Sequence, residues 1–214
     1  MELILKAMDK NEKFIITINR EFGSGGHAIG EELAQRLGVK LIDKQLLQAV
    51  ADRFSLSKEE AEALEQRRPS WWDDFTHFYQ SFMAMNEYHV TPRDITSRQL
   101  FFAQGKAMRE IASRESCVII GRCGFDIFKD TPNVLKLFVH ASRDYRVRRI
   151  MERYGVDEQK AMQMIDDNDY TRQLYTKIFT GHEWYDVHNY DLTLNVGKYG
   201  QSGVVDLLMR FIDS

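Results

Sequence analysis

The 214-residue chain contains only three prolines and two cysteines. So little proline leaves no room for a proline-rich linker. Two thiols, Cys117 and Cys123, are too few to staple a secreted scaffold, and no metal-ligand pattern surrounds them. No apolar run approaches the roughly 18 residues of a membrane-spanning helix. The first thirteen residues crowd acids and lysines around a short apolar patch and make a poor signal peptide. An excess of one charge is missing too: 29 Lys and Arg stand against 32 Asp and Glu, a formal net charge of −3. That excludes a basic nucleic-acid coat and a polyacidic tail. The six histidines show no HExxH spacing, and Asp166-Asp167-Asn168-Asp169 lacks the glycine and distal glutamate of a calcium loop, so no protein metal site is expected. What is there, 43% hydrophobic and 29% charged residues, suits a single domain with its own core. The expectation is a cytoplasmic protein with neither a membrane nor a nucleic-acid partner.

Short β-branched runs punctuate the chain. Phe14–Ile18 reads as a buried parallel strand, and it leads into Gly23-Ser24-Gly25-Gly26-His27. Ile29, Leu33 and Leu37 then mark a helix that stops at Gly38, and Val39–Ile42 is a second strand ending at Asp43. Residues 44 to about 113 read as helical, with breaks near 55–57 and at Pro69 and Pro92. Further strands are expected at 117–120, 134–139 and 192–195. Helices begin near Ser142, at Asp157 and near 201. Five strands alternating with helices predict an α/β fold, a parallel sheet with helices on both faces.

The glycine turn sits where a strand hands over to a helix. Glycines let backbone N–H groups curl toward an anion, and the helix N-terminus adds partial positive charge. Two nucleotide readings compete for it. Gly23, Gly25 and Ala28 fit the alanine-ended dinucleotide fingerprint, with Asp43 downstream to hold a ribose in a nicotinamide-dependent oxidoreductase. A phosphate-binding P-loop is the other, but its Lys and Ser/Thr places hold Gly26, His27 and Ala28. The loop alone leaves both open.

The second half of the chain separates them. The run from Val118 through Gly121-Arg122-Cys123-Gly124 to Phe128, then Pro132 and the strand ending at Ala141-Ser142, resembles cytidylate kinases. Their matching stretch carries Gly-Arg-Asp, a proline turn and a Lys-x-Phe strand. Ile16 to Gly26 looks like the cytidylate-kinase-like family, a branch of the nucleoside monophosphate kinases. The resemblance implies a three-layer P-loop kinase fold on one domain, 1–214. A helical acceptor-binding insertion would lie at about 55–95 and a lid at about 150–185. It implies transfer of the ATP γ-phosphate, with Mg²⁺, to a nucleoside monophosphate such as CMP or dCMP, or another small acceptor.

On that resemblance Gly23, Ser24, Gly25, Gly26 and His27 hold the donor phosphates. Arg122, after a strand end at the same edge as the turn, and Asp43 engage the acceptor. Val147, Ile150, Met151 and Tyr154 form an apolar stripe, which sets Arg146, Arg149 and Arg153 on the opposite face. Arg146 and Arg149 match arginines that lead into the lid. Asp169 and Arg172, three apart on one helix face, match the lid motif, Asp169 toward the substrate and Arg172 toward the transferred group. Arg109 fits a plain charged face as well as a site. His27 or a lid arginine would supply the charge of the missing lysine. Cys123 stands where the kinases carry an acid, and it reads as a small apolar residue. Trp71, Phe75, Phe78, Tyr79 and Phe82 follow helical spacing; core packing leads, with base stacking and a homodimer surface at about 71–85 as alternatives. A non-catalytic nucleotide-binding regulatory protein remains the alternative to the kinase.

Overall fold

The computed structural model describes residues 8–43 and 97–213. The chain divides into two compact units, residues 1–44 with 110–214, and residues 45–109. The expected insertion at 55–95 and the aromatic segment at 71–85 lie outside the described residues.

Five described strands form one parallel sheet: β1 (Ile15–Arg20), β2 (Lys40–Ile42), β3 (Cys117–Ile120), β4 (Val134–His140) and β5 (Leu192–Asn195). Their order across the sheet is β2-β3-β1-β4-β5. Ile18 of β1 lies beside Ile120 of β3 and Leu137 of β4. Central strands of this kind are covered on both faces, which is why Ile16, Ile18, Val118 and Ile119 have no exposed surface.

The described helices are α1 (Gly26–Leu37), α2 (Ser97–Arg114), α3 (Gly124–Ile127), α4 (Arg143–Tyr154), α5 (Glu158–Thr180) and α6 (Val196–Asp213). Ile29 and Leu33 of α1, with Val204, Val205 and Leu208 of α6, pack on the sheet face made by Ile16, Ile18, Val118 and Leu137. Replacing a buried leucine such as Leu33 by alanine removes about 2–5 kcal/mol. The opposite face carries Thr17, against which Gly124 of α3 packs, and Phe138, whose ring meets Trp184 at 5.2 Å and Tyr190 at 4.9 Å. Helices, sheet and helices make three layers. A smaller cluster of Val147, Ile150, Ala161 and Ile165 joins α4 to α5 and receives Phe22 from the glycine turn.

Helix starts follow their caps. The Ser142 hydroxyl accepts from the Tyr145 N–H at 3.4 Å, and the Asp157 carboxylate accepts from the Lys160 N–H at 2.7 Å. Two boundaries differ from the sequence reading. β1 continues past Ile18 to Arg20 because β4 continues beside it, pairing Asn19 with Phe138 and Arg20 with Val139. The polar Asn19 is accommodated there because its amide donates to the Tyr190 hydroxyl at 3.0 Å. The closing helix expected near 201 is preceded within α6 by a short helical stretch at 196–199, and the non-helical Gly200 (φ 71°) separates the two.

Candidate functional site

β1 lies between β3 and β4; the connection leaving β1 runs past β3 to β2, whereas the one leaving β3 runs the other way, past β1 to β4. Open α/β sheets bind ligands in the crevice that opens at the carboxyl end of such a strand. Residues 21–25 turn there. Gly23 (φ 83°) and Gly25 (φ 88°) adopt the left-handed conformation that side chains disfavour. Among the described residues, nothing accepts from the N–H groups of Gly25, Gly26, His27 or Ala28. The first helical bond is from the Ile29 N–H to the Gly25 carbonyl, at 3.1 Å. The first turn of α1 holds no acidic residue. Its four open donors and dipole therefore present an unanswered positive end.

A buried polar network holds the turn in that shape. The Phe22 N–H donates to Asp169 at 2.7 Å, and Arg146 donates to the Phe22 carbonyl at 3.2 Å and to Asp169. Arg172 donates to Asp169 at 3.3 Å and to the Arg20 carbonyl at 3.0 Å, while its guanidinium lies 5.5 Å from the Phe22 ring centre. Glu21 accepts from the Ala141 N–H at 3.1 Å and from the Tyr185 hydroxyl at 3.2 Å, and it pairs with Arg146 at 3.3 Å. The Ser24 hydroxyl donates to the Glu21 carbonyl at 2.8 Å. Arg146 and Asp169 retain 7% and 5% of their exposure, so the expected polar outer face of α4 does not include Arg146. The helix is apolar toward α5 and turns Arg146 inward onto the turn, where buried carboxylates answer its charge. Tyr154, expected in the apolar stripe, is exposed.

Further guanidiniums face the turn. The Arg149 head group lies where a Cβ at Gly25 would meet it at 3.5 Å. The Arg20 side chain runs along Gly26 and reaches the space that a Cβ at Gly121 would need. Arg122 leaves the end of β3 in a left-handed run, with φ of 70° at Gly121 and 54° at Arg122 and at Cys123, and sits 5.6 Å from the Tyr175 ring centre. Such conformations cost about 1–3 kcal/mol each in non-glycine residues and gather at functional sites. Burial, followed by the charges of Arg172 and Arg122, pushes the Arg20 guanidinium well below its ordinary range, against the opposing pull of Asp169 and Asp43. A guanidinium keeps its proton in proteins, so that repulsion is relieved by an anion rather than by proton loss.

The expected site residues come together as follows. Gly23, Ser24, Gly25, Gly26 and His27 form the turn and its helix start, and Arg149 lies over it. His27 Nε2 stands 3.9 Å from Glu31 and 4.0 Å from Asp43, and its buried Nδ1 has no hydrogen-bond partner among the described residues. Arg122 and Asp43 end strands at the same sheet edge. Arg146, Asp169 and part of Arg172 are engaged in holding the turn's backbone. Arg109 belongs to the second unit. Sequence reasoning missed Arg20 and Glu21 as site residues; their signal is a charged pair wedged between an apolar strand and three glycines. Cys123 is buried and its thiol is pushed up to about 12 by desolvation, which fits the small apolar reading. The dinucleotide alternative fails on topology. It needs the Asp43-bearing strand next to β1, whereas β3 occupies that place and β2 is the sheet edge. Among the described residues no three His, Cys, Asp or Glu side chains gather as metal ligands, and no helix is long and apolar enough to cross a membrane.

The profile of the cytidylate kinase-like family matches residues 15–198. The chain belongs to that family. It is 24% identical over 204 residues to a cytidylate kinase of Pyrococcus horikoshii, covering 94% of this chain and 90% of that one. A cytidylate kinase of Methanosarcina barkeri is 23% identical over 202 residues, with 93% and 96% covered. Among solved structures, an uncharacterized protein from Eubacterium ventriosum superposes with a TM-score of 0.71 at 28% identity, over 94% of this chain and 99% of that one. Shikimate kinase from Bacteroides thetaiotaomicron shares the fold, with a TM-score of 0.50 at 14% identity and coverage of 94% and 99%. The three-layer architecture of this family member is thus that of the P-loop kinases.

Proposed function

We propose that this protein is a nucleoside monophosphate kinase that transfers the γ-phosphate of ATP to a pyrimidine monophosphate, CMP or dCMP. The observation that carries this reading is the convergence of Arg20, Arg122, Arg149 and Arg172 on a turn whose backbone donors have no acceptor among the described residues. Phosphoryl transfer needs alignment and positive charge more than a covalent nucleophile. An acceptor phosphate oxygen attacks the γ-phosphorus in line, a P–O bond forms, and the bond to the β-bridging oxygen breaks to leave ADP. Charge builds on the equatorial oxygens, and preorganised guanidiniums are stronger there than mobile water.

In this reading the N–H groups of Gly25, Gly26 and His27 hold the donor phosphates and Arg149 lies over the migrating group, with Arg172, bonded to the Arg20 carbonyl and Asp169, adding positive charge. Arg122 and Asp43 orient the acceptor. Arg146 and Asp169 are positioning residues, because their hydrogen bonds end on the turn's backbone rather than in front of it. Mg²⁺ carried by ATP would, when bound, neutralise phosphate charge. Such an ion keeps most of its water and takes one or two carboxylates, and Asp43, 4.0 Å from His27, would be one of them. The supports are the family membership, the kinase fold and this geometry. A non-catalytic nucleotide-binding role is the second reading, favoured by Gly26 and His27 in place of Lys and Ser/Thr. Phosphate transfer assayed across CMP, dCMP, UMP and AMP with ATP and Mg²⁺ decides between them. Turnover on the cytidine acceptors is expected, silence on all four rejects the enzyme, and calorimetric ATP binding without turnover selects the second reading.

A further inference from the structure

In the pattern Gly-x-x-x-x-Gly-Lys-Ser/Thr, the lysine reaches the β- and γ-phosphates and the first glycine stands six residues before it. Laid on this chain with Gly25 as the second glycine, the lysine position is Gly26 and the first glycine position is Arg20. Cation and glycine have changed places. The geometry makes the two changes one. A Cβ built at Gly26 would fall 2.5 Å from the Arg20 Cβ and 2.9 Å from its Cγ, a separation that real side chains do not tolerate. Only one of the two positions can carry a side chain.

From that contact the Arg20 side chain crosses to the end of β3, where Nη1 occupies the space a Cβ at Gly121 would need. A second glycine is thus required for its path. The guanidinium ends between the donor turn and the strand end that carries Arg122. Among the described residues no carboxylate lies within ion-pair distance of it, while Arg146 and Arg172 both pair with Asp169. A charge held by two glycines, with no carboxylate in ion-pair reach among the described residues and set beside open N–H groups, is arranged for a ligand with several anionic oxygens.

We propose that Arg20 is the phosphate-binding cation of this protein, delivered from the last residue of β1 instead of the first turn of α1, and that its guanidinium holds the β- and γ-phosphate oxygens of a nucleoside triphosphate. This deepens the kinase reading and rests on it only for the identity of the ligand. A guanidinium differs from the ammonium it replaces. Its planar fork spans two oxygens at once, whereas an ammonium acts as a point charge. Lysine at position 20 therefore restores charge without restoring the contact.

The test uses the full chain and inorganic tripolyphosphate, which needs no acceptor, at physiological salt, with calorimetry and the ligand-induced rise in melting temperature as readouts. Arg20→Gln keeps the stem against Gly26 and removes the charge; it is expected to weaken tripolyphosphate binding about 10- to 100-fold. Arg20→Gly with Gly26→Lys rebuilds the ordinary arrangement and is expected to recover most of that loss. Gly26→Lys alone, with Arg20 in place, is expected to bind no better than Arg20→Gln. Arg210→Gln, an exposed substitution on α6, controls for general charge and is expected to bind like the unaltered protein. Undiminished binding by Arg20→Gln, or no tripolyphosphate binding by the unaltered chain, overturns the proposal whatever the transfer assay gives. Arg20-dependent binding in a protein silent on all four acceptors upholds the site and rejects the kinase.

Discussion

The Arg146 guanidinium and the Asp169 carboxylate grip both polar groups of one backbone residue: Asp169 takes the N–H of Phe22, and Arg146 donates to its carbonyl. The two side chains also pair with each other, buried. A buried pair of this kind contributes little net stability over an apolar equivalent, but removing one partner strands the other. Its product here is the shape of a turn.

Asp169→Ala should therefore cost about 3–5 kcal/mol, as a buried guanidinium loses its counter-charge. Urea unfolding measures this, and a loss below about 1 kcal/mol would mean that Glu21 alone suffices to hold Arg146. Tripolyphosphate affinity is expected to fall in the same variant even under fully folded conditions, since the Phe22 N–H is released.

Gly23→Ala meets two obstacles together. Its φ of 83° is unfavourable for any side chain, and its Cβ would lie 3.1 Å from the Arg146 Cβ and carbonyl oxygen. A destabilisation of about 1–3 kcal/mol is expected with weakened ATP binding. Gly25→Ala shares the φ penalty but meets only the flexible Arg149 head group at 3.5 Å, so it should be the milder of the two by unfolding midpoint.

Arg149 and Arg122 should separate kinetically. Arg149 lies over the turn and has no ion-pair partner among the described residues, so Arg149→Ala is expected to lower kcat about 10²–10³-fold while leaving the melting temperature nearly unchanged. Arg122→Ala is expected to raise the KM for the monophosphate and spare that for ATP. Equal effects of both variants on both substrates would remove the division into donor and acceptor arginines.

The two thiols set an alkaline limit. Burial pushes Cys117 and Cys123 from about 9 up to about 12, so the folded chain keeps protons that the unfolded chain releases. Stability from this source is complete below pH 9 and declines as pH rises toward 12. Tyr185 and Tyr190, also pushed up by burial, act in the same direction. Melting temperature followed from pH 8 to 11 should fall less steeply in a Cys117→Ala/Cys123→Ala double variant. Neither thiol of the folded protein should react with a soluble disulfide reagent at pH 8.

The strands and caps were legible because they rest on local signals: β-branched runs for the start of β1 and for β3, Ser142 and Asp157 at helix starts, glycines at helix ends. The extension of β1 was not, because Asn19 and Arg20 are polar and only the neighbouring β4 and the Tyr190 hydroxyl make a strand of them. The glycine turn was legible as a strand-to-helix junction because its glycines follow directly on a β-branched run. Arg20 was hidden because its path is defined by Gly26 and Gly121, which no window along the chain brings together. Helical periodicity sorts residues by polarity and so sets Arg146 outward, and an arginine answered by buried carboxylates breaks that sorting.

The Phe22 N–H receives its acceptor from a residue 147 positions further along the chain. During synthesis the sheet's first strand and its glycines emerge early, but the wall that shapes them comes only with α5. A nascent or truncated chain ending before that helix would own every glycine of the loop and still be unable to grasp a nucleotide.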